Sequence, residues 1–321
     1  MKESAKRNRL MGRVSIHELR QRIARLRRSD MRALSQEAVA ARVARIIDQY
    51  PFQIRPWKVS GLYRARVNRP GALFTSASEL WYPPKPDLVR TAGRLNRPGQ
   101  VLLYAANTPN AAAIELRVKP GDMVTVLVAR TRSGAMDELN TAFIGLERAR
   151  APEANALGPS DIFRTAPHFR GQLGEGNYKK WLLVDDYLSE IFGAVVPDDR
   201  PHLYYPTIAL ADMLFSAPKL DAIQYPSVAT QDHGINVCMR PARADAVFRA
   251  SEAWMIEIGE KELHPEKTQP LMQVRFRLRS QEIGSDGVIH WRPEGDGIDQ
   301  ETIMGFVRQR MERLERWPTK V

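Results

Sequence analysis

Five side chains along the 321 residues are of types that could together handle a phosphorylated substrate carrying a flat ring: Arg64, Arg94, Tyr104, Glu115 and Ser227. A guanidinium meets phosphate oxygens through two parallel hydrogen bonds, so Arg64 and Arg94 suit a pyrophosphate. Tyr104 offers a ring for stacking, and Ser227 a hydroxyl that can hold a ligand. Cleavage of an N-glycosidic bond passes through a ribose with oxocarbenium character, and a carboxylate such as Glu115 beside it stabilises the growing positive charge or orients the nucleophile. Singly, each residue also has a plain structural role: Tyr104 as a half-buried strand aromatic, Glu115 as a surface helix acid, Ser227 as a turn residue after a proline. Other chemistries find less support. The six histidines are scattered, with no His-x3-His or His-Glu-x-x-His pair, and the single Cys238 excludes an internal disulfide and a cysteine-rich zinc site. Dinucleotide-fold and phosphate-loop glycine signatures are absent, and the glycine-rich Gly171–Gly176 reads as a mobile loop because no strand clearly precedes it.

The elements that must position these residues centre on the stretch from Arg94 to Glu115. Asn96-Arg97-Pro98-Gly99 is a turn in which Pro98 fixes one dihedral and Gly99 supplies a positive φ. Val101 to Ala105 reads as a strand carrying Tyr104 near its end. Thr108 then caps a helix with Pro109 at its first position and alanines behind, which places Glu115 about two turns in. Upstream, Leu62 to Val67 alternates as a strand with Arg64 and Arg66 on one face. A buried face does not tolerate two unpaired guanidiniums, so these should line an anion-accessible cleft or face solvent. Ile223–Val228 and Ile235–Met239 read as strands, with Ser227 near the end of the first.

Around this centre the rest of the chain divides into three parts. Residues 1–55 form a basic extension with two amphipathic helices, one opened by the capping box Ser15-Ile16-His17-Glu18 and one from about Leu34 to Gln49. These pack on the main domain or on a partner. Arg55-Pro56-Trp57 reads as a linker into the main domain at residues 56–245, which contains an insertion at about 130–220. Within it, residues 131–160 read as mixed helix and loop, and Trp181–Phe192 and Thr207–Phe215 as helices. Residues 246–321 read as a hairpin of Met272–Arg279 with Val288–Arg292, then a helix from about Asp299 to Arg316.

The net charge of +11 is concentrated at one end: the first fifty residues hold 13 basic against 5 acidic side chains. Such an arm could contact nucleic acid or an acidic partner, or be an arginine-rich solvated helical face, since no base-reading motif accompanies it. No apolar run is long enough to span a bilayer, and the first thirty residues are too basic and polar for a secretory signal, so the expectation is a cytoplasmic protein without membrane contact.

The sequence also resembles the RES-domain family over about residues 60–241. The resemblance is carried by Leu62-Tyr63-Arg64, Gly93-Arg94-Leu95-Asn96-Arg97-Pro98-Gly99, Leu103-Tyr104-Ala105-Ala106, the Ala-x-x-Glu of Ala112 to Glu115, and Tyr225-Pro226-Ser227 with Asn236 downstream. It departs at Leu95, where the family often has an aromatic, and in its length. The first fifty-five residues, the insertion and the segment after Arg243 have no counterpart in short family members. What the resemblance implies is an α+β fold with a mixed, bent sheet like that of ADP-ribosyltransferases, flanked by helices and preceded by the helical arm. It implies a toxin that consumes NAD+ as substrate, by phosphorolysis or hydrolysis of the nicotinamide glycosidic bond, with no resident cofactor or metal and with inorganic phosphate admitted as co-substrate. Arg64 and Arg94 would meet the phosphates, Tyr104 would stack near nicotinamide, Glu115 would lie by the ribose, and Ser227 and Asn236 would hold the ligand. Either arginine can be the family's signature residue. The implied partner is an Xre-type antitoxin with a helix-turn-helix domain, and a homo-oligomer is left open. Two rivals stand beside this reading: transfer of an ADP-ribosyl or phosphoribosyl group to a protein, and a non-catalytic nucleic-acid module using the basic arm.

Overall fold

The computed structural model describes residues 14–48, 50–145, 170–227, 234–263 and 270–293. It is an α+β fold built on one ten-stranded mixed sheet. In chain order the strands are β1 (Gln53–Val59), β2 (Gly61–Val67), β3 (Leu103–Ala106), β4 (Met123–Thr131), β5 (Asp137–Phe143), β6 (Ala222–Pro226), β7 (Ile235–Met239), β8 (Phe248–Leu263), β9 (Pro270–Ser280) and β10 (Arg292–Pro293). Their spatial order is β1-β5-β6-β7-β3-β2-β4-β8-β9-β10, antiparallel throughout except for the β5/β6 pair.

Two features of this order shape the molecule. The first is a seam between β3 and β2, which share the single pair Tyr63–Ala106 and so divide the sheet into two five-stranded halves. The second is a roll. Only Ser60 separates β1 from β2, yet in a flat sheet they would stand five inter-strand steps apart, about 24 Å at ~4.8 Å each. One residue spans at most about 7 Å between its neighbours' Cα atoms, so the first half must curl until the end of β1 meets the start of β2. Val59, Leu62, Leu103, Ala105, Leu139, Ala222, Val237 and Met239 fill the inside of that curl as one apolar cluster.

Helices cover the outside. α1 (Ile16–Arg27) and α2 (Gln36–Ile47) start at Ser15 and Ser35, whose hydroxyls accept from the amides of Glu18 and Ala38. Their apolar stripes, Leu19, Ile23 and Leu26 on one and Val39, Val43, Ile46 and Ile47 on the other, enter the same core as Trp181 and Leu188 of α5 (Glu175–Gly193) and Leu210 of α6 (Tyr205–Phe215). Of the two placements open to the N-terminal helices, packing on the main body is the one observed. Buried Tyr50 reinforces it by donating to Asp185 of α5 at 2.9 Å. Two short helices complete the set, α3 (Ala77–Leu80) before β3 and α4 (Pro109–Ile114) directly after it. A last one, α7 (Pro241–Val247), follows β7. No helix among the described residues is long and apolar enough to cross a membrane.

Several expectations are corrected. The supposed linker Arg55-Pro56-Trp57 lies within β1, where Trp57 pairs with Leu139; Pro56 is tolerated because β1 is at the edge of the sheet order. The boundary drawn at residue 55 therefore falls inside a strand. Asp137–Phe143 is a strand, not helix and loop, with Leu139 and Thr141 fully buried. The C-terminal hairpin pairs β9 with the long β8; Val288–Arg292 contributes only a Ser76–Val288 bridge and the first residue of β10. The glycine-rich stretch leads into α5, with Gly174 at φ 72° as the residue before its first turn. The β6 strand stops at Pro226, before Val228. Residues 146–169 and the helix expected at Asp299–Arg316 lie outside the described residues.

Candidate active site

Glu115 stands at the end of α4, whose placement follows from its sequence. The Asn107 amide donates to the Ile235 carbonyl, and the Asn107 side chain accepts from the Ile235 amide at 3.0 Å, which fastens the end of β3 to β7. Thr108 caps the helix by accepting from Ala111, and Pro109 occupies a position where no amide hydrogen is needed. Ala111, Ala112 and Ala113 are buried against Ala65, Ala106, Val126 and Val128, so small side chains let the helix lie close across the seam. Glu115 is the C-terminal cap and remains half-buried.

The partners of its carboxylate come from the β6/β7 hairpin. Tyr225 pairs with Asn236, and the Ser227 amide donates to the Gly234 carbonyl just beyond the ladder. Side chains alternate along a strand and cross-strand partners share a face, so Tyr225, Ser227 and Asn236 are presented together. Ser227 Oγ donates to Glu115 Oε1 at 2.5 Å, and Asn236 Nδ2 donates to the same oxygen at 2.8 Å. Ser227 is fully buried and Asn236 nearly so. Two donors therefore converge on one carboxylate oxygen, which orients the group, and among the described residues no hydrogen bond engages Oε2.

Tyr104 holds the adjoining loop. Its hydroxyl donates to Asn96 Oδ1 at 2.8 Å and accepts from the Leu95 amide at 2.9 Å. A Cβ on Gly93 would come within 2.4 Å of that same Asn96 oxygen, so the glycine of the Gly93-Arg94 pair is required by close approach. Gly99 takes φ 77°, as its turn demands. Leu95 is fully buried in the helical core, so the departure from the family pattern falls at a packing position. Burial raises the Tyr104 hydroxyl well above its ordinary pKa, with smaller contributions from Cys238 and Tyr225, and it stays a neutral donor.

The two arginines occupy different places. Arg94 lies over the Tyr204 ring, 5.4 Å from its centroid, and donates to the carbonyls of Ile191 (3.4 Å) and Ala194 (3.0 Å) at the end of α5. Arg64 sits in the seam. The Asn107 amide points toward β7, so by alternation the peptide groups of Tyr104 and Ala106 point toward β2, and the Arg64 guanidinium donates to the Tyr104 carbonyl where the ladder is not continued. Its Nε is buried without a hydrogen-bond partner among the described residues, and burial, with Arg66 second, lowers its pKa to about 10. It still carries its charge at neutral pH. Arg66, expected to share its fate, is solvent-exposed and donates to the Glu79 carbonyl.

Glu115, Ser227 and Asn236 are thus joined directly, Tyr104 and Arg94 flank them, and Arg64 anchors the seam behind Tyr104. Two neighbours were not among the site residues expected from sequence. Tyr225 is buried, with Phe192 at 5.3 Å between ring centroids; its hydroxyl is raised by burial first, and it feels the charges of both Arg94 and Glu115. Tyr204 forms the ring beneath Arg94. Tyr225 sits inside the Tyr225-Pro226-Ser227 motif and strand alternation alone puts it beside Ser227, whereas nothing local marks Tyr204.

These features define an α+β protein with a split, curled sheet and a hydrogen-bonded carboxylate at the seam, flanked by arginine and tyrosine. The chain belongs to the RES-domain family, whose model matches residues 61–259. The match begins at β2 and reaches into β8, so α7 and most of β8, beyond Arg243, belong to the family module and are no added segment. A comparison with curated proteins found no match to the chain.

Proposed function

We propose that this protein binds NAD+ at the β3–α4 corner and breaks the bond between nicotinamide and ribose, so that its expression lowers cellular NAD+ and arrests growth. The observation that carries the reading is the Glu115 carboxylate, fixed through Oε1 by Ser227 and Asn236, with Oε2 unengaged among the described residues. In this mechanism the glycosidic electron pair leaves with nicotinamide, which becomes neutral without needing a proton. Glu115 stands beside the ribose as positive charge spreads over its C1′ and ring oxygen, and an oxygen nucleophile, water or phosphate, closes on C1′. Ser227 and Asn236 keep the carboxylate aimed, so little reorganisation is needed as charge develops. Arg94 and Arg64 supply cations on the two sides of Tyr104, one near its hydroxyl and one at its carbonyl, and the Tyr104 ring offers the face against which nicotinamide stacks. A helix-turn-helix antitoxin covering this corner is the partner that fits the reading.

Incubating purified chain with NAD+ and following free nicotinamide by chromatography tests it. Release by the native protein, much reduced in Glu115→Gln, supports the reading. No release with either water or phosphate as acceptor refutes it.

A further inference from the structure

Arg117, two residues beyond Glu115, has φ 53° and is the one non-glycine residue with positive φ among the described residues. An arginine in the left-handed region is strained, and such strain persists where the surroundings hold it and collects at functional sites. Here the strained residue is exposed, and its guanidinium reaches the Val196 carbonyl at 3.4 Å, a long contact. Arg94 reaches the Ala194 carbonyl of the same segment. Those carbonyls are two residues apart, so the two guanidiniums grip one short stretch of wall, with Glu115 between their points of origin in the chain. Neither forms an ion pair among the described residues. Between them Val195 is 67% exposed, so the rim is open. Among the described residues these two cations meet only neutral groups, carbonyls and, for Arg94, the Tyr204 ring, so on an open rim they are ready for an anion, which would replace the carbonyls with charge-assisted, bidentate contacts.

We propose that Arg117 is a phosphate contact on this rim, and that its left-handed backbone is retained because it aims the guanidinium along the rim. The identity of the phosphate rests on the function proposed above: either the diphosphate of the dinucleotide or inorganic phosphate acting as acceptor. The site itself is independent of that reading.

The test uses Arg117→Gly, which takes the left-handed backbone without strain and so stays folded, and Arg117→Lys, which keeps the charge. Calorimetric titration of the full chain with inorganic pyrophosphate should show binding weakened about tenfold or more in Arg117→Gly, partly restored in Arg117→Lys, with a thermal midpoint in Arg117→Gly no lower than native. Equal pyrophosphate affinity in native protein and Arg117→Gly, or no pyrophosphate binding by the native chain, overturns the proposal. Kinetics then separate the two sources. A KM for NAD+ raised about tenfold with kcat within threefold assigns the substrate diphosphate. A raised KM for phosphate with an unchanged KM for NAD+ assigns the acceptor. If the native chain releases no nicotinamide yet binds pyrophosphate in an Arg117-dependent way, the NAD+ reading fails and the anion site stands.

Discussion

Replacing Glu115 with glutamine changes one charge and little else. The new side-chain amide can turn its carbonyl oxygen toward Ser227 Oγ and Asn236 Nδ2, so both hydrogen bonds and the fold should persist, and the melting temperature should stay within a few degrees of native. What disappears is a negative charge beside the ribose. Two unit charges about 4 Å apart interact by about 4 kcal/mol at an effective dielectric near 20. In bound NAD+ the positive charge sits on the nicotinamide ring, and it moves onto the ribose, nearer the carboxylate, in the transition state, so most of the loss falls on kcat, by up to about three orders of magnitude, while the dissociation constant for NAD+ changes less. Nicotinamide release under saturating NAD+ gives kcat, and calorimetry on the inactive variant gives the dissociation constant. Ser227→Ala removes one of the two donors that aim the carboxylate and should lower kcat by about tenfold, corresponding to ~1.4 kcal/mol. A Glu115→Gln protein with kcat within tenfold of native, properly folded, would remove the carboxylate from the mechanism and leave the site as a binding corner only.

Three further outcomes are expected. Gly93→Ala places a methyl against Asn96 and displaces the residue that holds the Tyr104 hydroxyl, so urea unfolding should show a loss of about 1–3 kcal/mol; native stability would mean the loop gives way freely. Tyr50→Phe removes one donor from the fully buried Asp185 and should lower stability by about 1–3 kcal/mol, whereas Arg27→Ala, which breaks an exposed pair with Glu190, should cost less than about 1 kcal/mol; the reverse ranking would show that the surface pair fastens the N-terminal helices. Tyr82, raised to about 12 by burial first and then by its hydrogen bond to Asp245, keeps its proton in the folded chain after an unfolded tyrosine has released one near pH 10. The unfolded state then binds fewer protons, so stability is level below pH 10 and falls between about 10 and 12. Tyr82→Phe should flatten that fall in denaturant titrations at several pH values, and an unchanged slope would refute the assignment.

The parts of this fold legible from sequence are those whose signals are local. Thr108, Pro109 and the alanine run announce α4, Gly99 announces a left-handed turn, and alternation announces β2 and β7. What was not legible depends on partners far along the chain. Arg55-Pro56-Trp57 looks like a linker until β5 is present to pair with an edge strand that can carry a proline. The destination of Arg64 could not be read from its neighbours, because the carbonyl that receives it is exposed only where β2 and β3 stop pairing. Glu115, Ser227 and Asn236 could be grouped by their resemblance to a family pattern, yet their sharing of one carboxylate oxygen needs the β6/β7 register. Tyr204 and Arg117 carried no warning at all: one is an aromatic in a short helical turn, the other a basic residue after a helix end, and only φ and an exposed wall distinguish them.

The span between Glu115 and Asn236, 121 residues, also sets a clock. A ribosome adding roughly 5–20 residues per second needs on the order of 6–25 s to pass from one to the other. For that interval the nascent chain carries its carboxylate without the two donors that aim it, and β3 without the β7 strand against which it pairs. On the function proposed above, the order of residues along the messenger thus keeps an unfinished chain inert, and competence arrives late, close to the moment at which the last family strand leaves the tunnel.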